Sequence, residues 1–222
     1  MKNLSIVIMA GGKGSRWRGG GNKVLVPING TPLIARTIHQ VAARQPALPI
    51  TVVTPHDDVR AVVDDAGADV WWPLPHEAQS LCRCIAETFL AASRRWKEGG
   101  WLLWGDVAWT SAAMGQVMRL ADRSPRHPTA IISRSRGELF GFWVPRTGVM
   151  DMRDGFHDSF EDWEKGGRGK GWEAYRALWG LPLRKHRLKP GTFLRINDHT
   201  NDLDTVGQCR RFCKHEKVTC EL

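Results

Sequence analysis

The sequence contains no long hydrophobic run. Uncharged apolar stretches such as residues 24–35 are interrupted by proline, glycine and asparagine, so they are too short to span a bilayer. The apolar residues 6–10 are likewise fewer than the core of a signal peptide needs. Because 42% of the 222 residues are hydrophobic and 25% are charged, a disordered, collagen-like or coiled-coil chain is excluded. We expect a cytoplasmic protein with a single domain over residues 1–222.

Cysteine is scarce and odd in number. The chain has five cysteines, namely Cys82, Cys84, Cys209, Cys213 and Cys220. An odd number in a chain of this size argues against a disulfide framework and favours reduced thiols. The series Cys209, Cys213, His215 and Cys220 suggests zinc, but it lacks the close Cys-x-x-Cys pair of structural sites. We predict ordinary thiols on a terminal helix, with a metal site as the less favoured alternative.

Acidic residues are absent from the first 56 positions, although the whole chain has 32 basic and 23 acidic residues and a net charge of +9. This imbalance predicts that the N-terminal segment binds an anion. A second basic zone covers residues 165–195, with nine basic residues against Glu173 alone. Two basic zones indicate two anionic ligands or one long polyanion; for the second zone, a solvated face is the alternative.

Short apolar runs alternate with segments of helical periodicity, which is typical of β-α-β units. The predicted strands cover residues 4–9, 50–54, 69–72, 101–104, 129–133, 140–144 and 193–196. The predicted helices cover residues 32–44, 57–65, 79–96 and 111–121, with Asp57 and Ser111 as helix caps. The pattern predicts an α/β fold of three layers, with a mainly parallel mixed sheet and helices on both faces.

The alternation stops at about residue 151, where glycine, tryptophan and charged residues become frequent. We interpret residues 151–190 as an insertion within the domain. Insertions on a rigid α/β frame commonly carry substrate contacts. We therefore assign this segment to the acceptor side of the site.

A glycine-rich turn follows the first predicted strand, with the sequence Ala10-Gly11-Gly12-Lys13-Gly14-Ser15-Arg16. Glycines let backbone amides approach phosphate oxygens, and the interleaved cations neutralise phosphate charge. The dinucleotide fingerprint needs glycine where Trp17 stands, and the Walker loop needs a Gly-Lys-Ser/Thr triplet that does not occur. The turn predicts a phosphate site of another type.

The turn and the residues after it resemble the opening motif of nucleotidyltransferases with a GT-A-like fold. This family includes sugar-phosphate nucleotidyltransferases, cytidylyltransferases and molybdenum-cofactor guanylyltransferases. The resemblance covers residues 10–16, then Lys23, then Gly30-Thr31-Pro32-Leu33, with Asn22 in place of the usual proline or aspartate. It implies a GT-A-like, Rossmann-related sheet.

The resemblance also implies roles for individual residues in binding a nucleoside triphosphate. Residues 10–14 (Ala10, Gly11, Gly12, Lys13 and Gly14) would hold the nucleotide, with Lys13 and Arg16 on its β- and γ-phosphates. Lys23 would reach the α-phosphate. Gln79 and Ser80 would contact the base, although Ser80 is equally well explained as a helix cap.

A magnesium site is implied by two further likenesses to the family. Asp106 follows an apolar strand in a Gly-Asp pair, where the family places a metal-binding aspartate. Residues 195–203 are similar to the family's late motif, in which Asn197 or Asp198 would be the second ligand and Asp202 would cap the last helix. Mg²⁺, or Mn²⁺ in its place, prefers such oxygen ligands and binds jointly with substrate phosphates.

The implied reaction is nucleotidyl transfer from a nucleoside triphosphate to a phosphorylated acceptor, such as a sugar phosphate, with Arg16, Lys23 and Asp106 as the catalytic residues. The acceptor is expected at Arg184, Lys185 and Arg187 in the second basic zone. Oligomeric state and the identity of both substrates stay open.

Two other classes of protein remain as alternatives. A glycosyltransferase of the same fold uses an Asp-x-Asp motif, but Val107 and Ala108 follow Asp106. A single-stranded nucleic-acid-binding protein would explain a pI of about 9.7 and eleven tryptophans. Several tryptophans fall in predicted strands, where they belong to the core.

Overall fold

A computed structural model describes residues 4–12, 16–71, 99–123, 125–135 and 137–221. Lys13, Gly14, Gln79 and Ser80 lie outside the described residues, as do the predicted helix over residues 79–96 and the last residue of the predicted strand over residues 69–72.

The strands include all seven that the apolar runs predict, so the predicted fold class is confirmed. The strands are β1 (Ser5–Met9), β2 (Pro27–Ile28), β3 (Thr31–Pro32), β4 (Ile50–Val53), β5 (Asp69–Trp71), β6 (Gly99–Trp104), β7 (Val107–Ala108), β8 (Thr129–Ser133), β9 (Leu139–Pro145), β10 (Phe193–Ile196) and β11 (Asn201–Asp202). The described helices are α1 (Leu33–Ala42), α2 (Asp57–Asp65), α3 (Ser111–Met118), α4 (Leu120–Arg123), α5 (Val149–Glu164), α6 (Gly171–Leu178) and α7 (Val206–Glu216).

The main sheet has seven strands in the order β10-β8-β9-β6-β1-β4-β5. Only β9 runs antiparallel to its neighbours, β6 and β8, so the sheet is mixed and mainly parallel. The central strands β1 and β6 are apolar on both faces because helices cover both faces. Gly141 in β9 is required by close packing, since a Cβ there would lie 2.3 Å from the Leu102 carbonyl oxygen.

Two apolar layers cover the sheet. On one face, α1, α2 and α3 pack against Ile6, Ile8 and Trp101. On the other face, Met152 and Phe156 of α5 and Tyr175 of α6 belong to the core with β1, β6 and β9. The segment predicted to be an insertion therefore forms an outer layer of the fold, because its helices bury an apolar side against the sheet.

The helix caps differ from the predicted ones. Helix α2 begins after His56, and α3 begins after Thr110, whose hydroxyl accepts a hydrogen bond from the Ala113 amide. The predicted caps Asp57 and Ser111 are therefore wrong by one residue. The predicted cap Asp202 is also wrong, because Thr205 caps α7 and accepts a hydrogen bond from the Gln208 amide.

The parallel strands place several loops at one edge of the sheet. Strands β1, β6, β8 and β10 all end there, so residues 10–12, 16–25, 105–106, 133–135 and 197–204 approach one another. The short pair β7 and β11 ties two of these loops together. Residues 181–192 precede β10 and therefore lie at the opposite edge. No helix in the described part of the chain is long and apolar enough to cross a membrane.

Candidate active site

Lys23 is a buried lysine at the carboxyl edge of the sheet, with 8% of its surface exposed. It opens a short 3-10 helix, Lys23–Leu25, which Asn22 caps by accepting a hydrogen bond from the Val24 amide. The Lys23 Nζ lies 2.5 Å from Asp106 Oδ2 and 3.0 Å from Asp204 Oδ1. The asparagine that departs from the family pattern thus fixes the turn that carries the lysine.

Asp106 is held at this edge by backbone contacts on both sides. The Gly105 amide donates to the Met9 carbonyl at 2.8 Å, and the Leu203 amide donates to the Asp106 carbonyl at 2.9 Å. A side chain at residue 105 would crowd this turn, since its Cβ would lie 2.9 Å from the Met9 oxygen. Glycine before Asp106 therefore brings the ends of β1 and β6 and residue 203 together.

Asp202 and Asp204 complete a group of three carboxylates with Asp106. The two residues flank Leu203, which is fully buried, and alternate residues of an extended segment point to the same side. One carboxylate oxygen from each of the three aspartates lies within 4.8 Å of the other two. Neither Asp202 nor Asp204 was predicted to bind a metal.

Three acidic side chains surround one buried lysine. Burial, together with the nearby Asp106 and Asp204, raises the pKa of Asp202 to about 8 against the opposing effect of Lys23. Burial alone would lower the pKa of Lys23, but the surrounding aspartates outweigh it and raise that pKa above its usual value. Lys23 therefore stays an ammonium ion, and Asp202 keeps a proton at neutral pH that a bound cation would displace.

The three carboxylates fit a Mg²⁺ ion. The Asp202 Oδ1 atom is buried and has no hydrogen-bond partner, which is costly unless a cation or water occupies its lone pairs. All the ligand atoms offered are hard carboxyl oxygens, the type that Mg²⁺ prefers.

Asn197 and Asp198, the residues expected as the second ligand, are placed elsewhere. Asn197 is exposed. Asp198 Oδ2 accepts a hydrogen bond from the Thr110 hydroxyl at 2.6 Å, and its Oδ1 accepts one from the Thr200 amide at 2.8 Å. Asp198 is thus engaged by the cap of α3, and the structure does not bring it into the group around Lys23.

The described part of the glycine-rich turn lies beside this group. Ala10 is buried and its amide donates to the Val53 carbonyl at 2.8 Å. Gly11 packs against Pro55, whereas a Cβ on Gly12 would meet nothing within 4 Å. The Arg16 side chain is two-thirds exposed and forms an ion pair with Asp204. The structure thus brings Arg16, Lys23 and Asp106 together around Asp204.

Two clefts lie near the loop that carries Asp202 and Asp204. The first, which we call the arginine cleft, has a volume of about 500 Å³. It is lined by Arg16, Arg18, Thr205, Val206 and Gly207. The Thr205–Gly207 lining is the amino end of α7, whose free amides attract anions.

The second cleft, which we call the histidine groove, has a volume of about 520 Å³. It runs between α7 and the loops after β8 and β10, and Arg134, His199, Arg211 and His215 line it. The His199 and His215 rings are stacked, with centroids 3.9 Å apart and planes 5° apart. Asp198, the acidic residue of the lining, already accepts two hydrogen bonds, so the groove favours an anion.

Arg184, Lys185 and Arg187, the expected acceptor residues, are exposed in the loop before β10. Arg184 pairs with Asp162 at 3.5 Å. Because this loop lies at the opposite edge of the sheet from Asp106, the structure does not bring the three cations to the carboxylates.

The tryptophans offer little support for nucleic-acid binding. Trp101, Trp109 and Trp143 are at most 3% exposed. Of the tryptophans whose burial the structure describes, none is in the exposed class. Aromatic stacking on bases needs accessible rings, and these three buried tryptophans belong to the core instead.

The arrangement is that of a nucleotidyltransferase: a mixed sheet, a glycine-rich turn after its first strand, and a lysine and carboxylates at the same edge. The sequence model of the MobA-like NTP transferase domain matches residues 6–172. The chain therefore belongs to this family.

Known proteins similar to this chain include one curated sequence. The bifunctional protein GlmU of Chromobacterium violaceum is 36% identical over 124 residues, which are 54% of this chain and 26% of that protein. The match thus spans about a quarter of the relative's length.

Solved structures share the fold at low sequence identity. A protein of Bacillus anthracis assigned as a glucose-1-phosphate thymidylyltransferase has a TM-score of 0.62 and 12% identity, over 94% of this chain and 93% of the other. The CTP:phosphocholine cytidylyltransferase of Streptococcus pneumoniae also has a TM-score of 0.62, with 9% identity over 95% of this chain and 98% of the other.

Proposed function

We propose that the protein transfers a nucleoside monophosphate from a nucleoside triphosphate to the phosphate of a small-molecule acceptor, with release of pyrophosphate. The observation that carries the proposal is the contact of Lys23 with both Asp106 and Asp204 at the carboxyl edge of the sheet. This is the edge at which open α/β sheets bind ligands. The family membership of residues 6–172 supports the same reaction.

The triphosphate is assigned to the arginine cleft and the glycine-rich turn. Arg16 and Arg18 supply two cations there, and the amino end of α7 supplies free backbone amides. Lys13 and Gly14 remain part of the proposed nucleotide site, and so do Gln79 and Ser80 for the base. Lys23 is then next to the α-phosphate, because Asp204 bridges Arg16 and Lys23.

The chemistry needs no protein nucleophile. An oxygen of the acceptor phosphate attacks the α-phosphorus, the bond from that phosphorus to the bridging oxygen of the β-phosphate breaks, and pyrophosphate leaves with the bond electrons. Lys23 and Arg16 hold the phosphates in line and offset the charge that develops on them. Mg²⁺ or Mn²⁺ bound by Asp106, Asp202 and Asp204 would supply further charge neutralisation.

The acceptor is assigned to the histidine groove. Arg134, Arg211, His199 and His215 offer donors to a phosphate, and Asn201 of the same groove is next to Asp202. A sugar phosphate is the acceptor class that we propose. A cytoplasmic location is part of this proposal, since nucleoside triphosphates are cytoplasmic substrates and the described cysteines are free thiols.

The test is a screen of the four nucleoside triphosphates with Mg²⁺ by thermal unfolding. One triphosphate at 100 times its dissociation constant should add about 2.7 kcal/mol of stability. Pyrophosphate release with a panel of sugar phosphates then identifies the acceptor. If no triphosphate stabilises the protein, or if Asp106→Ala is stabilised and turns over as well as the natural protein, the proposal is wrong.

A further inference from the structure

Three cysteines come together on one side of α7, outside the group of three carboxylates. The sulfur atoms of Cys209, Cys213 and Cys220 all lie within 4.8 Å of one another. Cys209 and Cys213 are buried, and Cys220 is partly exposed. The expectation of unconnected thiols on a terminal helix thus misses their convergence.

The local fold explains why these thiols meet. Cys209 and Cys213 are one turn apart on α7 and share a face. Lys217 adopts a left-handed conformation with φ of 54° and ends the helix. The chain then returns along residues 218–220, where Cys220 forms a β-bridge with Ile28. The third thiol is thereby placed against the first two.

The charge near the cluster favours an anionic group. Arg36 interacts electrostatically with Glu216 and also with Cys213. The Arg36 Nε atom is buried and has no hydrogen-bond partner. A metal ion of charge +2 bound by three thiolates carries a net charge of −1, which Arg36 would balance.

We propose that Cys209, Cys213 and Cys220 bind a soft d¹⁰ cation, with Zn²⁺ as the ligand that we test. Thiolates are the preferred ligands of such cations. A disulfide would use two of the three sulfurs, whereas a metal uses all three. The site is separate from the proposed Mg²⁺ site, whose ligands are all oxygens.

The metal requires only a small rearrangement. Zn–S bonds of about 2.3 Å put tetrahedral ligands roughly 3.8 Å apart, and Cys209 and Cys220 are now 2.7 Å apart. The two sulfur atoms must therefore move about 1 Å farther apart to admit the ion. A side-chain rotation of Cys220 is enough for this. Burial raises the pKa of Cys209 and Cys213, so metal binding releases protons.

The bound metal would tie the end of the chain to the segment that carries Lys23. Residues 218–221 contact β2 through the bridge at Ile28 and the hydrogen bond from the Asn29 amide to the Thr219 carbonyl at 2.9 Å. Strand β2 begins two residues after the 3-10 helix that Lys23 opens. Zn²⁺ therefore supports the active site through the backbone.

The experiment uses the full chain with Cys82 and Cys84 replaced by serine, so that the three clustered cysteines are the remaining thiols. The protein is reduced, stripped of metal with a chelator and titrated with Co²⁺ under anaerobic conditions. We expect thiolate-to-cobalt charge transfer and tetrahedral d–d bands that saturate at one equivalent and disappear when Zn²⁺ is added. Carboxylate-bound Co²⁺ would give no such charge-transfer band.

The variant Cys213→Ser separates a metal site from a disulfide. Loss of a ligand should weaken Zn²⁺ binding by more than the 10- to about 100-fold that is typical when a residue hydrogen-bonded to a ligand is lost. It should also leave Cys209 and Cys220 reactive toward a thiol reagent in the presence of Zn²⁺. Thermal unfolding gives a second readout, since Zn²⁺ should raise the melting temperature of the parent and not of Cys213→Ser.

Two results would overturn the proposal. The first is a reduced parent protein that shows no charge-transfer band with Co²⁺. The second is a Cys209–Cys220 disulfide that forms equally well with and without Cys213, in a protein that Zn²⁺ does not stabilise.

Discussion

Lys23 Nζ lies 3.0 Å from Asp204 Oδ1 in a buried contact, although 181 residues separate the two in the sequence. The contact joins the N-terminal basic segment to the loop after β11. Lys23 also contacts Asp106 and Asp204 also pairs with Arg16, so each buried charge is stabilised by more than one partner. The site therefore forms only when the N-terminal segment and the loop after β11 are both folded in place.

Replacement of Lys23 should reduce stability as well as activity. In Lys23→Met, the carboxylates of Asp106 and Asp204 lose their buried cation. We expect the free energy of unfolding to fall by about 2–3 kcal/mol. This is less than for a fully buried pair, because the Asp106 side chain is a quarter exposed. Urea unfolding without Mg²⁺ measures it. Lys165→Met is the control, because its partner Glu161 is on an exposed helix surface. Equal stability of the two variants would contradict the electrostatic account.

Asp106→Asn should fold normally and lose turnover by at least about 100-fold, as expected when transition-state charge loses one of its stabilising groups. Asp106 is at the rim of the sheet, and Lys23 keeps Asp204 as a charged partner when the Asp106 carboxylate is replaced. Pyrophosphate release and thermal unfolding are measured on the same sample. Activity near that of the natural protein would remove Asp106 from the catalytic group.

Asp202→Asn should keep or raise the stability of the metal-free protein and should weaken its binding of Mg²⁺. Without divalent cations and above about pH 4, the variant should be at least as stable as the natural protein, because a pKa raised to about 8 prevents Asp202 from ionising in the folded state where the unfolded chain ionises freely. With Mg²⁺, the natural protein should gain stability and the variant should gain little. Melting temperatures with and without Mg²⁺ test this. An equal gain in both proteins would show that Asp202 is not a ligand.

The buried pair of Glu173 and Arg176 should stabilise the helical layer over β9. Both side chains are at most 7% exposed, with Arg176 NH1 3.0 Å from Glu173 Oε1. Arg176→Met leaves Glu173 unpaired and should cost about 3–5 kcal/mol. The double variant with Glu173→Gln should be more stable than Arg176→Met alone, as measured by urea unfolding. A double variant that is less stable would show that the loss comes from packing.

The main sheet could be predicted from sequence because its strands are long enough to give apolar runs bounded by turns. The strands β7 and β11 have two residues each, which is too short for any periodic pattern. Asp202 and Asp204 were missed for this reason, since only the pairing of β11 with β7 turns both toward Asp106. The alternation of aspartate with a buried leucine at 203 was the available signal.

Charge counting predicts an anion site in the N-terminal segment and an acceptor site in the second basic zone, and the structure brings cations of the first segment, but not Arg184 or Arg187, to the carboxylates. The excess of cations over residues 165–195 is real, but composition does not tell which edge of the sheet a loop occupies. Arg184 and Arg187 precede β10, whereas Arg211 and His215 follow it on α7 and line the histidine groove. A parallel strand therefore separates the predicted cations from the site.

The histidine groove gives the last prediction. Replacing Arg211 and His215 together with glutamine exchanges a guanidinium and an imidazole for neutral amides, so the apparent Michaelis constant of the acceptor should rise by about 10-fold or more. An ionic hydrogen bond to phosphate contributes about 1.5–3 kcal/mol, and each 1.4 kcal/mol is a factor of ten. The affinity for the nucleoside triphosphate should stay nearly unchanged, because Arg16 and Arg18 line the other cleft.

Two arginines in the loop before β10 serve as the control. Arg184→Gln with Arg187→Gln removes exposed charge at the opposite edge of the sheet, where a Debye length of about 8 Å at physiological salt screens it from the carboxylates. This variant should keep both Michaelis constants. Steady-state kinetics over a range of salt concentrations distinguish the two edges, since only the groove variant should lose the salt dependence of acceptor binding. If the control variant weakens acceptor binding and the groove variant does not, the acceptor lies at the other edge.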